Sequence, residues 1–196
     1  MNTSAPRSIQ HGDLPNAMLA AACAILDEAG PHEVGLRETA RRVGVSATAA
    51  YRYFSCKEDL LASVAAEGFR ELAAAIDAAR KGPDSLIGPS LAYVEFALRK
   101  RGLFRLMFGP ILVERAKYPQ LEEAAAVALD VLRHSIAVGD ESLYEQDTTA
   151  MASWGMIHGL SSLLIDDLVP EPRARVLAEV ILGRAVTSRL AHLRAE

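Results

Sequence analysis

Between Arg37 and Leu61 the chain reads RETARRVGVSATAAYRYFSCKEDLL, and this run restricts the fold more than any other stretch. It divides into a short helix, a tight turn at Gly44-Val45, a second short helix and the start of a much longer one. Two helices joined by a turn of three or four residues that includes a glycine make a helix-turn-helix unit. Ala40 and Val43 can face inward from its first helix, and Ala50 and Phe54 from its second. Ser46 stands where an N-cap is wanted, since its hydroxyl can accept an amide proton that the first turn leaves unpaired. Ser55 and Glu58 have the spacing of a capping box ahead of Leu60 and Leu61, so one helix should stop near Phe54 and another start at once. From Val34 to Lys57 there are five basic residues and one acid. Such an excess attracts a phosphate backbone, although a solvated basic helix face would carry the same charge.

Gly44-Val45-Ser46, Tyr51-Arg52-Tyr53-Phe54 and Lys57-Glu58-Asp59-Leu60-Leu61 together resemble the DNA-binding domain of TetR-family transcriptional regulators. The resemblance covers roughly residues 14 to 70. Two positions depart from it: Tyr53 stands where the family often has His, and Thr39 where it usually has an apolar residue. The resemblance implies that Arg37 reaches DNA from the start of its helix. If the helix Ala47 to Phe54 enters a major groove, its first turn, with Ala47 and Thr48, faces base edges. Thr48 can bond a base or touch a thymine methyl, but nothing there offers a bidentate pair. Arg37 and Arg52 are then the long donors, helped by DNA shape. Ser46, Tyr51, Tyr53 and Lys57 look like phosphate anchors, which set register without reading sequence. One of the two tyrosines could instead pack the small core.

A chain of 196 residues that is 51% hydrophobic has ample material for a core, and nine Pro with 13 Gly are too few for a fibrous or disordered chain. Charge is uneven: residues 1–57 hold six basic and five acidic residues, and the remainder supplies the acidic excess behind the net −4. That distribution suits one discrete nucleic-acid contact. Two cysteines give no disulfide framework. The N-terminus lacks a signal peptide's charged start and apolar run, and no stretch is long and apolar enough for a membrane span, so a cytoplasmic location is expected.

In chain order, residues 1–12 lack periodicity and are expected to form a disordered tail. A first helix, Asp13 to Ala29, carries an amphipathic stripe and ends at Gly30-Pro31. Arg41 and Arg42, near the end of the next helix, also complement its dipole. The long helix from Cys56 to about Arg80 buries Leu60, Leu61, Val64, Gly68, Phe69, Leu72 and Ile76. It begins in the head and ends in another domain, so tilting its far end would move the head. After Lys81-Gly82-Pro83 every periodic segment reads as helix: Ser85 to Arg101, Leu103 to Met107, Pro119 to about Val138, Glu145 to Leu168 behind a Ser142–Glu145 capping box, and a last helix to about Leu193. The expected fold is all-α: a helix-turn-helix domain over 13–58 and an effector-binding and dimerisation domain over 59–196.

Met151 to Ile165 is apolar nearly all round, and such a helix must be covered on both sides. A twofold homodimer joined through the last two helices would cover it. Trp154, His158 and Gly159 resemble the Trp-His-Gly signature of one C-terminal domain type among TetR-like regulators. His158 follows Trp154 by four residues, hence shares its face. It could bond an effector in a pocket with Tyr93, Phe96, Phe104, Met107 and Phe108, or satisfy a buried carbonyl. No metal is expected, because His134, His158 and His192 have no ligand spacing. No cofactor is implied. A nucleophile elbow, a phosphate-cradling loop and a convincing acid pair are all missing, which argues against an enzyme. The expected function is a ligand-responsive repressor that binds a near-palindromic operator. A helical small-molecule-binding or scaffolding protein without DNA function is the alternative.

Overall fold

The computed structural model describes residues 14–82, 87–112, 114–136 and 143–170, together with 173, 176, 177 and 180. The tail over 1–12, the Ser142–Glu145 capping box and most of the last helix lie outside the described residues. Within them the regular structure is helical: α1 Leu14–Ala29, α2 Leu36–Val43, α3 Ala47–Tyr51, α4 Lys57–Arg80, α5 Gly88–Arg99, α6 Arg101–Phe108, α7 Pro119–Ile136 and α8 Leu143–Ile165. Two short 3-10 turns, Pro110–Leu112 and Arg115–Lys117, join α6 to α7.

The head forms as its local signals demand. Leu14, Met18, Ala22, Ile25 and Leu26 of α1 are buried at a spacing of three and four. Gly35 opens α2 in an extended conformation, and Gly44 closes it at φ 79°, where a side chain would be strained. Thr39, at a position expected to be apolar, is fully buried, and its hydroxyl donates to the Gly35 carbonyl at 2.8 Å. Ser46 caps α3 by accepting the Ala49 amide at 3.2 Å.

In the head, two expectations about where helices end and begin fail. Regular helix in α3 ends at Tyr51, not Phe54; Arg52, Tyr53 and Phe54 continue as a turn that folds back on the Ala49 and Ala50 carbonyls and buries Phe54. The expected Ser55–Glu58 capping box is not formed: Cys56 is the N-cap of α4 and makes no side-chain cap, and Ser55 bonds Asp59 instead. Because α4 starts at Lys57, Asp59 is its third residue, and its carboxylate takes both the Ser55 amide (2.9 Å) and the Ser55 hydroxyl (3.2 Å).

α4 is the spine. Its 24 residues span about 36 Å, and Leu60, Leu61, Val64, Gly68, Phe69, Leu72 and Ile76 are all buried along it. α4 packs most heavily on α7 and α5, then on α6 and α1, so one rod belongs to both the head and the body. In the body, α5 starts at Gly88 with Pro89 in its first turn, later than the expected Ser85. α8 stops at Ile165, short of Leu168, where Asp167 turns the chain at φ 56°.

Candidate functional site

The head presents a polar, aromatic surface over its small core. Ala50 and Phe54 are buried, whereas Tyr51 and Tyr53 are 51% and 42% exposed, so neither tyrosine fills the core. Arg37, Ser46, Thr48 and Arg52 are also exposed, and Ala47 and Lys57 are half-buried. Lys57 Nζ donates to the His32 carbonyl at 2.9 Å, which holds the ammonium beside the α1–α2 loop with protons to spare.

The five basic residues counted in sequence are not equal. Arg41 pairs with Glu38 at 2.7 Å, and Arg42 with Glu28 at 2.7 Å and with Glu38 at 3.2 Å. Hydrogen bonds from Arg41 and then Arg42 hold the Glu38 carboxyl down to about 2. Among the described residues no ion pair involves Arg37, Arg52 or Lys57, so these three carry the uncompensated positive charge. The pairings at three and four residues were readable in sequence. The reach of Arg42 back to α1 was not.

The body holds a half-open cavity of about 250 Å³ lined from α4, α5, α6, α7, α8 and the second 3-10 turn. Tyr93, Phe108 and Trp154 line it, as do Phe69, Leu72 and Ile76 of α4 and a run of Ala and Leu from α7. The Tyr93 hydroxyl ties two walls together. Trp154 Nε1, which can only donate, gives its proton to that oxygen at 3.2 Å. The phenol proton is then free for His158 Nδ1 at 2.9 Å. Burial pushes the Tyr93 phenol far above its ordinary range and the His158 imidazole below its own. Both shifts agree with a protonated phenol donating to a neutral ring. His158 also stacks on Phe104 (5.3 Å) and meets Phe108 edge-on (4.6 Å).

Not every residue proposed for the pocket borders it. Phe96, Phe104 and Met107, at 2%, 1% and 0% exposed, lie in the core and not on the cavity wall, and His158 stands behind that wall against Phe104 and Tyr93. Composition cannot separate an aromatic that lines a hollow from one that plugs the core beside it. Arg115 was missed: it borders the cavity from the second 3-10 turn, and nothing in its sequence neighbourhood signals that. A second, more open hollow of about 410 Å³ lies between the end of α1 and α5–α6, with Arg99, Arg101 and Arg105 around it. Arg101 and Arg105 pair with Asp167 and Asp166, at 3.1 and 2.7 Å.

Among the described residues no His, Cys, Asp or Glu group could hold a metal ion, and no helix is long and apolar enough to cross a membrane. Cys23 and Cys56 are free, and burial pushes the Cys23 thiol up to about 11.

Residues 18–64 match the family described as bacterial regulatory proteins, tetR family. Residues 89–183 match the family described as tetracyclin repressor-like, C-terminal domain. Among solved structures, a protein of unknown function from Rhodococcus sp. RHA1 superposes with a TM-score of 0.76 at 23% identity, over 93% of this chain and 97% of that one. A transcriptional regulator from the same organism reaches 0.69 at 22% identity, over 89% and 96%. The fatty acid degradation regulator FadR from Bacillus halodurans reaches 0.67 at 18% identity, over 92% and 97%. At these identities the likeness is one of fold. No curated protein matches the chain.

Proposed function

We propose, from the premise that this chain belongs to the TetR family and is a DNA-binding transcriptional regulator, that it acts as a repressor released by a small molecule. A homodimer grips a near-palindromic operator through residues 37–57 of each subunit and lets go when an effector fills the cavity beside α4. The observation that carries the DNA contact is the pair Tyr51 and Tyr53, exposed over a core closed by Ala50 and Phe54. Two large hydroxyl-bearing side chains held out on a rigid three-helix unit are suited to phosphate contacts. In this reading Ser46, Tyr51, Tyr53 and Lys57 anchor phosphates, Ala47 and Thr48 meet base edges, and Arg37 and Arg52 reach further along the grooves. The head comprises 13–58 and the body 59–196, with α4 as the part common to both.

The outer face of α8 supports the dimer. Met151, Met156 and Leu163 are exposed there, and a Cβ added at Gly155 or Gly159 would meet nothing within 4 Å. Val176 and Val180 of the last helix are exposed as well. In a dimer covered through these helices the two heads must meet successive major grooves, about 34 Å or a little more apart. Tyr93, Phe108, Trp154 and, behind them, His158 form the effector side. A ligand there can act only through different affinities for the gripping and released conformers. Footprinting on the DNA flanking the protein's own gene tests the proposal. Protection of a near-palindrome is expected; its absence would favour a helical binding or scaffolding protein, for which the spare turn Ala47-Thr48-Ala49 is the best argument.

A further inference from the structure

Arg115 is the one charged side chain lining the cavity among the described residues, and we propose that the occupant is a small amphipathic acid whose carboxylate pairs with that guanidinium. The inference rests on the reading of this cavity as the effector site and names the chemical class it takes.

Arg115 is half-buried on the 3-10 turn Arg115–Lys117. One of its amino groups donates to the Met107 carbonyl in the last turn of α6, where helix carbonyls lack intrahelical partners. Its guanidinium also lies 5.9 Å from the centre of the Phe69 ring, within range of a cation–π contact. Neither partner is an anion. Among the described residues no ion pair includes Arg115, while its neighbours Glu114 and Lys117 pair with each other. A guanidinium has five N–H donors, and one carbonyl leaves most of them unused. Drawing that charge partly out of water with no counter-ion carries a desolvation cost, which a ligand anion removes. Its planar fork matches a carboxylate.

The rest of the wall describes the other end of the ligand. Leu72, Ile76, Leu129 and Leu132 offer only apolar surface. Tyr93 could offer a polar contact, but its proton is directed at His158 and its oxygen already accepts from Trp154. One anionic group and an apolar body therefore satisfy the cavity, whereas a sugar or nucleotide would leave most of its polar groups unpaired. At about 30 Å³ per water-sized group, the 250 Å³ holds a body of about eight non-hydrogen atoms.

Trp154 is the chain's single tryptophan and lines the cavity, so its fluorescence reports filling directly. The full-length protein is titrated with straight-chain and phenyl-substituted carboxylic acids of about four to ten carbons, a range taken from the volume per group, and with their primary amides, which keep the shape and lose the charge. We expect at least one acid to bind, and to bind about tenfold or more tightly than its amide, since hydrogen bonds between ionised groups are roughly twice as strong as neutral ones. Arg115→Gln should abolish the preference while amide affinity changes by less than about threefold, a shift too small for a lost charge pair. If no acid perturbs Trp154, if amides bind as well as acids, or if the preference survives Arg115→Gln, the assignment is wrong. Should Arg115→Gln fail to fold, Arg115→Lys takes its place, with the preference expected to shrink as the fork is lost. Operator binding by the ligand-free protein is measured alongside. DNA binding without an acid preference sinks this inference alone, and an acid preference without DNA binding sinks only the regulatory reading.

Discussion

Replacing Gly102 with alanine probes how the head is joined to the body. Gly102 is the second residue of α6, and its backbone lies against the last turn of α1. A methyl at this position would sit 2.6 Å from the Leu26 carbonyl oxygen, 2.8 Å from the carbonyl carbon and 3.0 Å from Asp27 Oδ1. The first two atoms are backbone and cannot swing aside as a side-chain tip would. To relieve the oxygen contact to even 3.0 Å, α1 and α6 must part by about 0.4 Å. Two effects oppose one another. Alanine is a better helix former than glycine by up to about 1 kcal/mol, and by less so near a helix start. Forcing a methyl into a filled contact costs about 1–3 kcal/mol. The clash should win, leaving a net loss of about 1 kcal/mol and a melting temperature about 2–4 °C lower for a chain of this size. The displaced α1 carries the head with it, so operator affinity should fall by more than stability alone would require, because the two heads of a dimer must match one DNA spacing. Thermal denaturation by circular dichroism and a DNA-binding titration on the same preparation measure both. A melting temperature equal to or above that of the parent would refute the reasoning: the α1–α6 junction would have slack, and helix propensity would decide.

Three further outcomes are expected. Tyr93→Phe strands the Trp154 N–H and His158 Nδ1 in a part-buried site, so it should cost about 1–3 kcal/mol. That would be read as a lower urea midpoint at constant slope, and an unmoved midpoint would mean that the hydroxyl contacts contribute nothing. Because burial holds the His158 imidazole below its ordinary 6.5, the unfolded chain binds that proton first. The associated stability is then complete above pH 6.5 and is lost as pH falls through the lower, folded value; a His158→Gln variant should lack this part of the decline in a pH series of urea unfolding curves. Lys57→Ala should weaken binding to every DNA sequence alike and reduce the slope of log affinity against log salt by about 1. An unchanged slope would confine Lys57 to its bond with the His32 carbonyl.

Much of the head was legible from local sequence. Gly44 at positive φ, Ser46 on the Ala49 amide and the inward Ala40, Ala50 and Phe54 all depend on contacts within a few positions of one another. The expected Ser55–Glu58 box failed by one residue, because α4 opens after Cys56 and so brings Asp59, not Glu58, back to Ser55. Burial of the large apolar residues along α4 was equally plain, because they recur at three and four along the helix. The cavity was legible only in part. Tyr93 and Trp154 lie 61 positions apart and share a hydrogen bond, and Arg115 reaches the same hollow from a turn with no periodicity at all. Whether Phe104 plugs or Phe108 lines is likewise decided by which helices converge, not by either residue's neighbours.

By itself, then, the amino-acid order determined most of the helices, the Ser46 cap and the buried stripes, since each follows from interactions over one or two helical turns. Tertiary structure alone decided where the body stays hollow, which of the two tyrosines stay in solvent, which polar atoms meet across the hollow, and that Arg42 reaches Glu28 while Arg115 faces the cavity with no anion among the described residues. Those outcomes depend on distances between segments far apart in the chain, and such distances exist only once the helices have packed.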